Sequence, residues 1–357
     1  MLKKQNLIKM AETRSEWCVS VYMPLGATQA KDKRRRLKKI MLDAENKLHR
    51  LEAAPFQIAR TLGPVEMILE HPGFWENRTE GIAAFFTPES FAWYSLDYTF
   101  DELVVVTDRF HLKPLLRSAS ENGRFYLLAL SETQIRLFEA FEGGINEVYV
   151  KGIPRNLACF LNPGDDEADS GTDDKNLRLA ELFKKVDGRV AELLKTEDVP
   201  LVLAGAGHLQ RLYQEANSYP HILKTGIGGD ADRLSPKKLL EKALPIIKPV
   251  FRRQRRKALA AFQENLGTNR ASNNLSKIIS AAQAGRIETL FVPVGRQKWG
   301  NLDSQTGKFS VHERHEPGDK DLLCVASMRT LRRGGDVYVM RPEEMPNDSL
   351  IAAVLRN

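Results

Sequence analysis

The sequence predicts an α/β (α+β) protein in three domains, and three observations lead there. Short apolar runs with the pattern of strands alternate with longer segments whose apolar residues recur every three or four positions. The chain has 357 residues, of which 42% are hydrophobic, enough for a core in each of several domains. Breaks rich in Gly, Pro or acidic residues separate the blocks and place the expected boundaries at 1–122, 123–266 and 267–357.

In the first block, Cys18 to Pro24 reads as a buried strand ended by proline. A helix follows, because Leu37, Ile40, Met41, Ala44, Leu48 and Leu51 recur at helical spacing. That spacing leaves Arg35, Lys38 and Lys39 largely on the opposite, solvated face. After the Gly63-Pro64 break, strands are expected at Gly81–Phe86, Ala92–Leu96 and Leu103–Val106, then a helix from Leu112 to about Ala119.

The second block opens with Arg124–Leu130 and Gln134–Glu139, separated by only three residues and so read as a hairpin, with a third strand near Glu147 to Val150. An acidic segment, residues 162–175, follows. Six of the eleven residues from Gly164 to Asp174 are Asp or Glu, too few of them apolar to offset the entropy of ordering, so an exposed loop is expected. Next come a helix from about Asn176 to Leu194 and a strand over Pro200–Gly205. Gly226-Ile-Gly-Gly-Asp230 reads as a turn ahead of a helix start at Ser235-Pro236. An alanine-rich helix ends near Gly267.

The last block predicts a helix (Leu275–Ala284), a strand (Thr289–Val294), a loop (Gly295–Gly318), a helix (Lys320–Leu331) and a strand (Asp336–Met340), closed by a short helix or strand. Together they make an α/β sandwich. Asn273, Asn274 and Lys277 stand at the start of its first helix, where helix capping is the simplest role.

Formal charge is +7 with a pI near 9.2, which favours a polyanionic partner. The charge is segregated. Seven of the nine residues from 31 to 39 are basic: Lys31, Lys33, Arg34, Arg35, Arg36, Lys38 and Lys39. A second cluster holds Lys248, Arg252, Arg253, Arg255, Arg256 and Lys257. Either run is a solvated helix face or a contact for RNA phosphates, which would be independent of sequence and steeply dependent on salt.

The three cysteines, Cys18, Cys159 and Cys324, are spaced for neither a disulfide framework nor a metal site, so a reducing cytoplasm is expected. No run of eighteen uncharged apolar residues occurs, and neither export nor a membrane partner is expected. No cofactor motif is present. Leu203-Ala-Gly-Ala-Gly207 is too short for a dinucleotide fingerprint, and His111 and His208 lack a nucleophile arrangement.

The segment Phe100 to Leu116, with Asp108-Arg-Phe-His-Leu-Lys-Pro-Leu-Leu116 at its end, is followed by Gly123–Ser131 and Gln134–Ala140. Together they resemble the junction of the first and middle domains in archaeo-eukaryotic class I peptide release factors and Pelota, and most of all their bacterial members, family 3 in particular. Leu201–Gly205 resembles the family's middle-domain strand. Ser272–Val294, Gly334–Met340 and Ile351–Arg356 resemble parts of its third domain. The resemblance implies a β-rich/α middle domain and a C-terminal domain of the ribosomal L7Ae-like α/β/α fold.

The family hydrolyses peptidyl-tRNA through a Gly-Gly-Gln loop at the position of residues 162–175 here, and this sequence contains no Gly-Gly-Gln. Gly164, Asp165, Asp166, Glu167, Asp169, Asp173 and Asp174 stand there instead. The glutamine amide helps to place a water, and carboxylates among phosphates would copy that only at electrostatic cost. The Asn-Ile-Lys-Ser codon-reading string of the first domain is also missing from Leu25–Lys39. The resemblance therefore implies a non-catalytic ribosome- or structured-RNA-binding protein in translation rescue, stalling or dormancy, with a translational GTPase as a further partner and no DNA. Two other readings stay open: a metal-dependent hydrolase or nuclease using the acidic loop, and a protein-interaction scaffold with no RNA partner.

Overall fold

A computed structural model describes residues 4–26, 29–71, 75, 80–96, 98, 100–116, 123–131, 133–141, 144–153, 172–195, 199–303, 308–316 and 318–356, with backbone alone for 4–5 and 172–176. The fold is mixed α/β. It divides into two compact units, one made of residues 1–120 and 257–357 and the other of residues 121–256. The first and last of the three expected segments thus share a unit, because they share a core.

That unit begins from β1 (Cys18–Pro24), which pairs antiparallel with both β2 (Gly81–Phe86) and β4 (Leu103–Thr107), while β3 (Phe91–Leu96) adds to β2. Six consecutive residues of β1 are buried, so both faces of this sheet must be covered. Val19, Val21 and Met23 pack on Leu37, Ile40, Ala44 and Leu48 of the helix Ala30–Arg50. Cys18 and Tyr22, on the alternate face, join a cluster with Ile278, Leu290, Leu323 and Cys324 from the end of the chain.

Those partners belong to a second sheet in the order β10 (Ala271–Ser272), β15 (Ala352–Leu355), β11 (Ile287–Pro293), β14 (Asp336–Met340). Strands β11 and β14 are parallel, and β15 runs antiparallel to β11 and β10. Helices Leu275–Gln283 and Leu322–Arg332 supply the inner face, while Phe291, Tyr338 and Val354 meet Phe262 on the other. Asn274 caps the first of these helices, its Oδ1 accepting from the Lys277 N–H at 3.1 Å.

Of the helix expected from Leu112 to about Ala119, Lys113–Leu115 form a 3₁₀ turn that runs into a helical Leu116, and residues 117–122 lie outside the described residues. Leu112, Leu115 and Leu116 are all fully buried. Lys113 is buried with them. Its ammonium lies 3.6 Å from Asp321 and donates to the Arg296 carbonyl. Asp321 Oδ1 accepts from the N–H groups of Lys298 (3.0 Å) and Leu323 (3.1 Å), so one carboxylate caps a helix and neutralises a buried cation.

The second unit is a three-layer sandwich. Its sheet runs β7 (Gly144–Val148), β6 (Ile135–Phe141), β5 (Phe125–Leu130), β8 (Leu201–Gly205), β9 (Ile227–Gly228). The β7-β6-β5 part is the expected antiparallel meander, and β8 and β9 add in parallel. Leu128, Leu130, Leu201 and Leu203 face Leu179, Phe183 and Val186 of the helix Thr172–Leu194 and Leu209 and Tyr213 of the helix Gly207–Ala216. Phe125, Leu127, Phe138 and Val202 face Leu239, Ala243 and Ile247 of the helix Pro236–Glu264. That helix continues through Pro245 and Pro249 as one element, from the expected start at Ser235-Pro236.

Two substitutions test this packing by urea denaturation. Gly205 has φ +149° and a Cβ there would lie 2.2 Å from the Leu130 carbonyl oxygen, so Gly205→Ala is expected to destabilise the second unit by about 2 kcal/mol or more. Lys113→Met leaves Asp321 charged and buried in the other unit, with an expected loss of about 3–5 kcal/mol.

Candidate nucleic-acid interface

The helix Ala30–Arg50 divides its residues by periodicity. Leu37, Ile40, Met41, Ala44 and Leu48 are buried, and the intervening positions are outward. Lys31, Arg34, Arg35, Lys38 and Lys39 are exposed and Lys33 is half-buried. None of Lys31, Lys33, Arg35, Lys38 and Lys39 is paired with a carboxylate among the described residues. The second half of the same helix is different, since Lys47 lies 2.9 Å from Asp43 and His49 4.0 Å from Glu45. Unpaired positive charge is therefore densest in the first three turns.

Two of the seven basic residues are held from below. Arg36 Nε lies 2.6 Å from Glu102 Oε2, and its Nη1 donates to the Pro24 carbonyl at 3.2 Å. Its charge is matched, which removes it from the free basic set and makes it the peg that fixes the helix over the end of β1. The Arg34 guanidinium stands 6.0 Å from the centre of the Trp75 ring, a cation–π distance, and the Trp75 Nε1–H donates to the Ile68 carbonyl at 3.1 Å. Glu102 and Trp75 had no local signal, lying tens of residues from the helix in sequence.

The second cluster lies on the helix Pro236–Glu264. Arg252, Arg253, Arg256 and Lys257 are exposed and Arg255 is half-buried. The division between the two units falls after Arg256, so Lys257 belongs to the first unit and the four arginines to the second. On one helix these five residues spread around the circumference and do not form a single face.

Of the acidic segment, Gly164, Asp165, Asp166, Glu167 and Asp169 lie outside the described residues. Asp173 and Asp174 do not belong to a loop. The helix that ends at Leu194 begins at Thr172, four residues earlier than the periodicity suggested. Among the described residues no group of three or more His, Cys, Asp and Glu is arranged to hold a metal ion, and no helix is long and apolar enough to cross a membrane.

The glycine-rich string at 226–230 is a packed turn at a sheet edge. A Cβ on Gly226 would lie 2.6 Å from the Leu203 carbonyl oxygen, Gly229 has φ +104°, and Asp230 accepts from the Asp232 N–H at 3.0 Å. The helix Gly207–Ala216 was not expected, although Leu209, Leu212, Tyr213 and Ala216 carry its period in the sequence.

Residues 124–286 match the model of bacterial archaeo-eukaryotic release factor family 3. Over this stretch, somewhat less than half of its length, the chain is similar to that family. The matched stretch contains the whole meander, the crossover helix, β8 and the arginine-bearing helix. Among solved structures, the archaeal translation termination factor aRF1 is 15% identical, covering 99% of this chain and 98% of that one, with a TM-score of 0.29. A ribosome-bound archaeal Pelota with ABCE1 is 17% identical over 75% of this chain and 72% of that one (TM-score 0.39). Dom34 of S. cerevisiae is 11% identical over 74% of each chain (TM-score 0.40). No curated protein matches.

The Arg36 peg gives a stability control for any charge change on this helix. The pair is about half exposed on both sides, so Arg36→Ala is expected to cost no more than about 1 kcal/mol in chemical denaturation.

Proposed function

We propose that this release factor-like chain binds ribosomes or structured RNA in translation, without hydrolysing peptidyl-tRNA, and acts in rescue, stalling or dormancy. The single observation that carries this reading is the uncompensated basic surface on the first turns of the helix Ala30–Arg50. Exposed Lys and Arg without carboxylate partners keep their full attraction for phosphates, and each contact releases a counterion on binding. The family match over residues 124–286 supports a role in translation, and the sequence has no Gly-Gly-Gln to serve hydrolysis. A translational GTPase is the protein partner this reading expects.

The Arg34, Arg35 and Lys38 positions contribute backbone-directed, sequence-independent contacts in this scheme. Arg252, Arg253 and Arg256 form a second and separable basic surface. Each surface is testable by itself, since the two lie in different units.

Co-sedimentation of the full chain with bacterial ribosomes across a salt series tests the proposal. Binding is expected at low salt, and changing Arg34, Arg35 and Lys38 together to Glu is expected to weaken it more than about tenfold and to flatten the salt slope by about two units. Absence of co-sedimentation at low salt, or an unchanged affinity and slope in the triple variant, would overturn it.

A further inference from the structure

Within the first unit, a pocket opens between the helix Lys4–Glu12, the end of β4 and the helix Leu322–Arg332. Its walls are apolar, with Ile8, Val105, Phe110, Val325 and Met328 among them. Its rim and floor are polar in an unbalanced way. Arg109 and Arg329 both line it, each half-buried, and burial lowers the pKa of both, with the charge of Arg109 lowering Arg329 further. Two guanidiniums thus repel each other in a place where water screens them poorly.

The neighbouring charges do not cancel them. The Asp108 carboxylate is 3.9 Å from Arg109 Nε but lies closer, at 3.1 Å, to the Lys320 ammonium. Glu12 is taken up by Arg332 at 3.2 Å. Arg14 and Arg332 add repulsion at Arg109. Asp321, at the floor, is matched by Lys113.

Two buried polar atoms here have no hydrogen-bond partner among the described residues. One is Arg329 Nη1, and the other is Nε2 of His111, whose ring is only 4% exposed and is kept neutral by burial, its pKa down to about 4. A buried donor without a partner is costly, more so when charged, so each such group calls for a water, an ion or a ligand to satisfy it. The Asp108–Leu116 run, which supplies Arg109, Phe110 and His111, therefore does more than fill the core.

We propose that this pocket binds a small aryl phosphate, its phosphate held between Arg109 and Arg329 and its ring against Phe110, Val325 and Met328. The apolar wall selects a flat or compact hydrophobic body, and the paired guanidiniums select a dianionic head. A free nucleotide shares this chemistry with simpler phenyl phosphates. The site is separate from the basic helix face and does not depend on RNA binding.

Isothermal titration of the full chain with phenyl phosphate, adenosine 5′-monophosphate, phenol and inorganic phosphate tests it. Phenyl phosphate is expected to bind more than about tenfold tighter than either phenol or inorganic phosphate, because only it engages both halves of the pocket. Comparable binding of the monophosphate would assign the site to nucleotides, and its failure beside a positive phenyl phosphate would assign it to smaller aryl phosphates. Arg329→Gln is expected to remove at least about tenfold of the phenyl phosphate affinity, with Arg109→Gln as the second variant should the first fail to fold. The proposal is overturned if phenyl phosphate does not bind up to about 10 mM, or if it binds equally well to folded Arg329→Gln and Arg109→Gln variants.

Discussion

The buried pair of Lys113 and Asp321 is the contact on which the first unit depends. It joins residues more than two hundred positions apart, both of them buried, and removing either leaves the other's charge unmatched. Asp321 also starts the helix Leu322–Arg332 by accepting the Leu323 N–H, so the same carboxylate sets where that helix begins. The Leu112 N–H points at the Cys324 sulfur, 3.4 Å away, one turn along the same helix. Position, charge and capping are therefore settled together, and the apolar cluster around Tyr22 and Leu323 closes over them.

The reason such a contact is needed lies in β1. A strand buried on both faces cannot rest on the helix Ala30–Arg50 alone, and the face carrying Cys18 and Tyr22 requires a second layer. The chain supplies that layer from its last hundred residues. The second unit meets the same requirement with near neighbours, because the helices on both sides of its sheet come from residues 172–251. Its β5–β8 pair is parallel, so a crossover is obligatory, and the helix Thr172–Leu194 fills it. The acidic segment falls within that crossover, between β7 and the helix.

Much of this was legible because local rules were enough. The 3.6-residue period of Leu37 to Leu48, the hairpin spacing of β5 and β6, and the Asn274 cap are all written in neighbouring residues. What local rules could not supply has a common cause. Nothing near Lys113 in the sequence marks it as buried, because its partner Asp321 lies far along the chain. The helix start read at Ser235-Pro236 and the alanine-rich helix ending near Gly267 belong to one element, and packing of Leu239, Ala243 and Ile247 on the sheet accompanies its course through Pro245 and Pro249. Of the basic residues, composition marked all seven from Lys31 to Lys39, but Arg36 proved to be committed to Glu102.

By itself the sequence determined the α/β class, the order of nearly every strand and helix, the segregation of basic charge and the lack of a Gly-Gly-Gln, since each is a matter of periodicity or of residue identity. Only the tertiary structure decided that the first and last segments share one core, which basic side chains remain uncompensated, and that Arg109 and Arg329 meet at one pocket. Those are facts about pairs of residues far apart in the chain, and no local pattern records the energy of bringing two distant charges, or two apolar faces, out of water together.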